Sequence, residues 1–97
     1  MPLQSIIKIK NFLRLQILSE LKRKKLCGDE LADLIGKNKN EKLSPGTIYP
    51  ALKFLKRKKL IIHKRIGRKK IYSLTKRGET ELLLAKKTFR KMFGKLL

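Results

Sequence analysis

The chain has 97 residues, enough for one domain with a modest core and too few for two. Its 27 Lys and Arg against 7 Asp and Glu give a formal charge of +20, so a polyanion, usually nucleic acid, is the expected partner. One cysteine excludes an internal disulfide and no apolar run approaches the roughly 20 residues of a membrane span, so we expect a cytoplasmic, nucleoid-associated protein without a membrane partner.

Two helices are predicted in the first third of the chain. Leu13, Ile17 and Leu21 recur at spacings of four, which predicts a helix over about residues 10 to 25. Three acidic residues between positions 29 and 33 favour the positive end of a second helix, and Gly36 is a fitting stop for it. The residues of this second helix that we predict to face inward are Leu31, Leu34 and Ile35.

A third helix is predicted from Ser44, which can cap it, with Pro45 in the first position. Pro50 removes one backbone hydrogen bond, so the helix is expected to be regular only from Pro50 onward. The backbone amides of Gly46 and Thr47 at its start are available to a phosphate. Its predicted core residues are Ile48, Ala51, Leu52 and Leu55.

A hairpin and a long helix are predicted in the last third. Segments 60–65 and 70–74 are rich in β-branched residues and flank Gly67, so they are expected to pair. Thr75 is a plausible cap for a helix that reaches about residue 95. Apolar residues on this helix recur at spacings of three and four, which predicts a dimer interface made of Leu82, Ala85, Phe89, Met92, Phe93 and Leu96. Alternatively, Phe89, Met92 and Phe93 line a small-molecule cavity between subunits.

The densest positive charge lies on the third helix and the hairpin. Between Lys53 and Arg77 there are 12 Lys or Arg and no acid. A capped helix that leads into a basic hairpin predicts a winged helix-turn-helix, a mainly α fold with a three-helix core over residues 10–75, a β-hairpin wing and a dimerisation helix over 76–97. The candidate DNA-binding residues are Ser44, Gly46, Thr47, Tyr49, Lys53, Arg57, Arg65, Arg68, Lys69 and Lys70. Alternatively, Tyr49 is a half-buried packing residue and the basic hairpin tip is merely solvated.

The hexapeptide LKRKKL occurs twice, at residues 21–26 and 55–60, with flanks that do not match. Each copy ends a predicted helix, where cations complement the negative end of the helix dipole. This account is weaker for the second copy, which adjoins the wing.

The segment LSPGTIYPAL at residues 43–52, followed by LII at 60–62 and IYSLT at 71–75, closely resembles the PadR family of transcriptional regulators. The resemblance covers about residues 11–80 and implies a prokaryotic winged helix-turn-helix dimer whose C-terminal helix is the dimerising element. A single C-terminal helix is similar to the shorter branch of that family. Phe54 departs from the family pattern, in which a polar residue is more usual.

The leading hypothesis is a homodimeric, sequence-specific transcriptional regulator, with repression favoured, that binds double-stranded DNA through the third helix in the major groove and the wing on the backbone or minor groove. The alternative is a structural nucleic-acid-binding protein, either a chromatin-type duplex coater or a ribosome-associated RNA binder, without sequence specificity. One histidine and one cysteine cannot make a four-ligand zinc site and are poor material for catalysis, so no metal, cofactor or enzymatic activity is expected. No motif supports a small-molecule effector.

Overall fold

The computed structural model of the chain describes residues 9–37 and 41–96. The elements in chain order are α1 (Ile9–Arg23), β1 (Leu26–Cys27), α2 (Gly28–Gly36), α3 (Pro45–Arg57), β2 (Ile61–Ile66), β3 (Lys69–Leu74), α4 (Lys76–Phe93) and a 3-10 turn (Gly94–Leu96). The predicted fold class is therefore confirmed: a mainly helical winged helix-turn-helix with a hairpin wing and a long C-terminal helix.

The core lies between the first three helices and the buried face of the sheet. As predicted, Leu13, Ile17 and Leu21 of α1 are buried. The prediction for Leu34 was wrong, because its side chain is 36% exposed. The buried residues of α2 are Gly28, Leu31, Ala32, Ile35 and Gly36. The inward face is therefore centred on the Ala32 side of the helix, and Leu34 lies outside it. The largest fully buried side chains are Ile17, Leu26, Leu31, Ile48, Leu52, Leu55 and Ile61.

The sheet contains a third strand that the sequence reading missed. β1 pairs with β3 in an antiparallel manner, with Leu26 opposite Tyr72 and Cys27 opposite Ile71, so the strand order is β1-β3-β2. A strand of two residues has no alternation to detect, and it exists only because β3 supplies its hydrogen-bonding partner. It places the first turn of α2 beside the wing.

The helix α3 begins at Pro45 and runs without interruption through Pro50, so the expectation of regularity only from Pro50 onward was wrong. Gly46, whose carbonyl would accept the N–H that proline lacks, is exposed and can bind water instead. Ser44 occupies the N-cap position, but its side chain does not bond a backbone N–H. Its Oγ lies 3.0 Å from Thr47 Oγ1, and its carbonyl accepts the Thr47 N–H at 2.9 Å, so that amide is not free for a phosphate.

The end of α3 is closed by a lysine in an unusual backbone conformation. Lys59 has a φ of 62°, in the left-handed region, and its N–H donates to the Lys56 carbonyl at 2.9 Å. The next N–H, of Leu60, donates to the Leu55 carbonyl at 3.0 Å. Glycine usually occupies this position at a helix end, and a left-handed non-glycine residue costs about 1 to 2 kcal/mol.

The helix α4 is anchored to the end of α3 and packs antiparallel to α1. Thr75 caps it as predicted, because its hydroxyl oxygen accepts the Gly78 N–H at 3.0 Å. Position 78 has room only for glycine, since a Cβ there would clash with the Leu60 carbonyl. Lys22 near the end of α1 lies 4.0 Å from Glu79 in the first turn of α4.

Candidate nucleic-acid interface

All ten candidate DNA-binding residues are exposed, as a contact with DNA would require. Three of them, Tyr49, Lys53 and Arg57, recur at spacings of four along α3. The residues on the opposite face of the helix, Ile48, Leu52 and Leu55, are buried in the core. The spacing therefore leaves one polar and basic face of α3 open to solvent, while the other face fixes the helix to the domain.

The structure brings five of the candidates around one cleft. The cleft has a volume of about 300 Å³ and lies between the start of α2, the face of α3 and the wing. The candidates that line it are Tyr49, Arg65, Arg68, Lys69 and Lys70. The other five, Ser44, Gly46, Thr47, Lys53 and Arg57, lie along α3 or at its start and do not line the cleft.

Tyr49 is positioned by a glycine that the sequence reading did not connect to it. A Cβ added to Gly28 would lie 2.7 Å from Tyr49 Oη and 2.8 Å from its Cε1, so the ring packs directly on the Gly28 backbone. The same side chain remains 44% exposed. Tyr49 therefore packs on one side, as the packing alternative predicted, and its other side is open to solvent.

The acidic residues near the cleft are already engaged by other groups. Asp29, which lines the cleft, lies 3.3 Å from Lys42 Nζ, and Asp33 lies 3.9 Å from the same ammonium. The Cys27 N–H donates to Glu30 Oε1 at 2.9 Å, and this bond holds the pKa of Glu30 below its usual value. The charge of Lys69 lowers this pKa further, but none of the four wing cations forms an ion pair within the described residues, so they can act on an external anion.

The sole histidine is partly buried near these cations. His63 on β2 faces Tyr72 on β3, with ring centroids 5.6 Å apart. Burial lowers the pKa of His63, and the nearby charges of Lys56, Lys70 and Arg65 lower it further. The positive charges of the candidate interface therefore affect the pKa of this imidazole.

Phe54 forms cation–π contacts with two arginines, which the sequence did not predict. The Arg14 guanidinium of α1 lies 3.5 Å from the centroid of the Phe54 ring, and Arg57 lies 5.5 Å from it. Such contacts are worth about 0.5 to 2 kcal/mol. The departure from the family pattern at position 54 thus joins α1 to α3 and holds Arg57 near the end of the helix.

The parts of the chain that the structure describes contain no metal-ligand cluster and no membrane-spanning helix. Within residues 9–37 and 41–96, no three His, Cys, Asp or Glu side chains cluster as metal ligands would. No helix in the same ranges is both long and apolar enough to cross a membrane.

A family model for PadR-like transcriptional regulators matches residues 17–83, from the middle of α1 through the wing and into α4. The match includes more than half of the chain and contains the whole cleft. The chain belongs to the PadR-like family of transcriptional regulators. The resemblance carried by residues 43–52 is thereby confirmed.

Solved structures with the same fold come from several organisms. A PadR family transcription regulator from Clostridium difficile R20291 is 29% identical, with a TM-score of 0.75 over 88% of this chain and 97% of the other. A candidate transcriptional regulator from Thermoplasma acidophilum is 25% identical, with a TM-score of 0.73 over 91% and 90%. A PadR-like transcription factor from Bacteroides fragilis is 22% identical, with a TM-score of 0.78 over 90% and 88%. No curated protein matches the chain significantly.

The α4 residues predicted to form a dimer interface in this PadR-like chain are partly buried and partly exposed. Leu82 is 3% exposed and belongs to the core of the chain itself, so it offers little surface to a second copy. Ala85 and Phe89 line a groove of about 390 Å³ between α1 and α4, together with Phe12, which is 48% exposed. Met92 is 40% exposed, and the Phe89 and Phe93 ring centroids are 4.8 Å apart. The side chain of Leu96 lies outside the described residues.

Proposed function

We propose that this chain is a homodimeric repressor that binds a specific site on double-stranded DNA. In this proposal α3 enters the major groove and the wing contacts the phosphate backbone or the minor groove. The observation that carries the proposal is the cleft in which Tyr49 meets four wing cations beside the open face of α3. Membership of a family of transcriptional regulators supports the same function.

The face of α3 supports a role in reading bases. Lys53 lies one turn beyond Tyr49, and both side chains are exposed. A lysine can donate to the O6 and N7 acceptors of guanine, and such base-edge contacts discriminate between sequences by about 1 to 3 kcal/mol. At the start of the helix, the Gly46 N–H is suited to a phosphate.

The wing supports a role in positioning the duplex. Arg65, Arg68, Lys69 and Lys70 are exposed and lie at or beside the hairpin turn. Phosphate contacts fix the register of a protein on DNA and carry no sequence information. If about six phosphates are neutralised, a plot of log affinity against log salt has a slope near −5.

The groove between α1 and α4 supports a homodimer. Phe12 and Met92 are large apolar side chains that are substantially exposed on a chain with a modest core. A second copy that covers Phe12, Phe89, Met92 and Phe93 would remove this surface from water. Two copies related by a two-fold axis would present two α3 helices to a palindromic site.

The proposal is tested by comparing variants of α3 with variants of the wing in competition binding at two salt concentrations. Tyr49→Ala or Lys53→Ala should reduce the preference for a selected site over random duplex by about 1 to 3 kcal/mol. Arg68→Ala or Lys69→Ala should weaken binding to both duplexes by similar factors and make the salt slope shallower. If all four changes weaken specific and random binding equally, the chain is instead a structural nucleic-acid-binding protein.

A further inference from the structure

Two basic segments meet at the end of the hairpin opposite its Gly67–Arg68 turn. The second LKRKKL copy leads into β2 at this end, and the first turn of α4 follows β3. Thr75 joins them, because its N–H donates to the Leu60 carbonyl at 3.1 Å and its hydroxyl donates to the Lys59 carbonyl at 2.8 Å. We define the distal basic surface as the four exposed cations at this junction, Lys58, Lys59, Lys76 and Arg77.

The first LKRKKL copy begins near the same part of the molecule. Lys22, in that copy, lies 4.0 Å from Glu79 in the first turn of α4. Lys25, which follows the helix, is also exposed. Among the described residues, no ion pair is found for any of the four cations of the distal basic surface. The two hexapeptides therefore contribute to one region of positive potential.

Stabilisation of helix ends does not account for these charges. Lys76 and Arg77 occupy the first turn of α4, where the positive end of the dipole disfavours cations. Lys59 has a φ of 62°, a conformation that glycine adopts without strain. Three of the four cations thus occupy positions where the helix dipole or the backbone conformation is unfavourable for them. Their charge therefore does not serve to stabilise the fold, which points to a role in binding an external anion.

The distal basic surface lies at the other end of the hairpin from the wing turn. The wing turn and the open end of the hairpin are separated by strands of six residues, or about 20 Å at 3.4 Å per residue. In the proposed function the wing turn contacts the first duplex, so the opposite end of the hairpin carries its cations away from that contact. Phosphates of another duplex can approach the open end directly.

We propose that the distal basic surface binds the phosphate backbone of a second DNA duplex, so that one molecule joins two duplexes. The inference rests on the proposed function only in that a first duplex occupies α3 and the wing. Lysine and arginine side chains without acidic partners suit phosphate oxygens, and this binding needs no particular base sequence. The second duplex is therefore held with a steep salt dependence.

The test is a capture experiment with the full chain. An immobilised short duplex is saturated with protein and washed, and a fluorescent duplex of unrelated sequence is then added. The distal variant Lys58→Gln, Lys59→Gln, Lys76→Gln, Arg77→Gln should capture at least about tenfold less fluorescent duplex and flatten the salt slope of capture by about 3.6, the value for four phosphates.

The control variant carries the same loss of charge at positions away from the distal basic surface and from the lining of the α1–α4 groove. Lys37→Gln, Lys87→Gln, Lys91→Gln and Lys95→Gln also remove four positive charges from exposed positions. This variant should capture the fluorescent duplex within about threefold of the parent. Lys59→Gly serves as a second distal variant, and its fold should be retained because glycine adopts a φ of 62° without strain. It should flatten the salt slope of capture by about 0.9.

Several outcomes would overturn the inference. Equal loss of capture in both fourfold variants would assign the effect to net charge, and unchanged capture in both would assign it to the wing of another subunit. Weaker binding of the distal variant to one long duplex, with no capture of a second, would mean that a single duplex wraps around the protein. Site preference on the first duplex is measured separately, so its absence would contradict the proposed function without altering the capture result.

Discussion

Replacing Gly28 with alanine should displace Tyr49 and weaken the preference for a specific DNA site. The new Cβ would lie 2.7 Å from Tyr49 Oη, 2.8 Å from Cε1 and 2.9 Å from Cζ. Since carbon atoms in contact are normally separated by about 3.5 to 4.0 Å, the ring has to move by roughly 1 Å. If Tyr49 reads a base edge, the loss of about 1 to 3 kcal/mol lowers site preference by a factor of roughly 5 to 160.

A double-mutant cycle separates this displacement from any direct effect of position 28. With Tyr49→Ala already present, the added Cβ meets no ring, and the φ of Gly28 is not positive. Alanine in the first turn of α2 should then leave site preference unchanged and stabilise the fold by up to about 1 kcal/mol. Competition binding measures the first quantity and urea unfolding the second. Identical losses of site preference in both backgrounds would refute the proposed coupling between Gly28 and Tyr49.

Three further predictions concern the dimer, the histidine and the helix end. Phe89→Glu with Phe93→Glu should give monomers and weaken DNA binding; a parent chain that sediments as a monomer at micromolar concentration would contradict the interface. The pKa of His63 should lie below 6.5 in the free chain, so stability falls as the pH drops below 6.5, and bound phosphates beside Lys70 and Arg65 should raise it. The NMR titration of this sole histidine, with and without duplex, measures the change, and an unchanged pKa would count against phosphate contacts there. Lys59→Gly should stabilise the fold by about 1 kcal/mol in urea unfolding, and a loss of stability would contradict the strain assigned to that residue.

Most of the fold was predictable because its elements carry local patterns. Spacings of three and four defined α1, α3 and α4, and Gly67 between β-branched segments defined the wing. β1 was not predictable, since a strand of two residues depends on a partner more than 40 positions away in the sequence. The error at Leu34 arose because a helix of nine residues offers few positions from which to define its buried face.

The candidate site was predictable in its residue types and not in its geometry. Charge and helix spacing identified Tyr49 and the wing cations before the structure brought them to one cleft. The contact between Tyr49 and Gly28 depends on the pairing of β1 with β3 and has no local sequence signal. The left-handed conformation of Lys59 was equally hidden, because glycine is the residue that would normally indicate it.

Recognition of a DNA sequence by this chain is measured by the ratio of two dissociation constants. A duplex selected by the protein from a random pool is compared with unselected duplex at about 0.15 M salt, where electrostatic attraction is partly screened. A sequence-specific regulator should bind the selected, palindromic duplex at least about 10³-fold more tightly. A ratio near one, or a selection that yields no common site, would contradict the account and favour a structural nucleic-acid-binding protein.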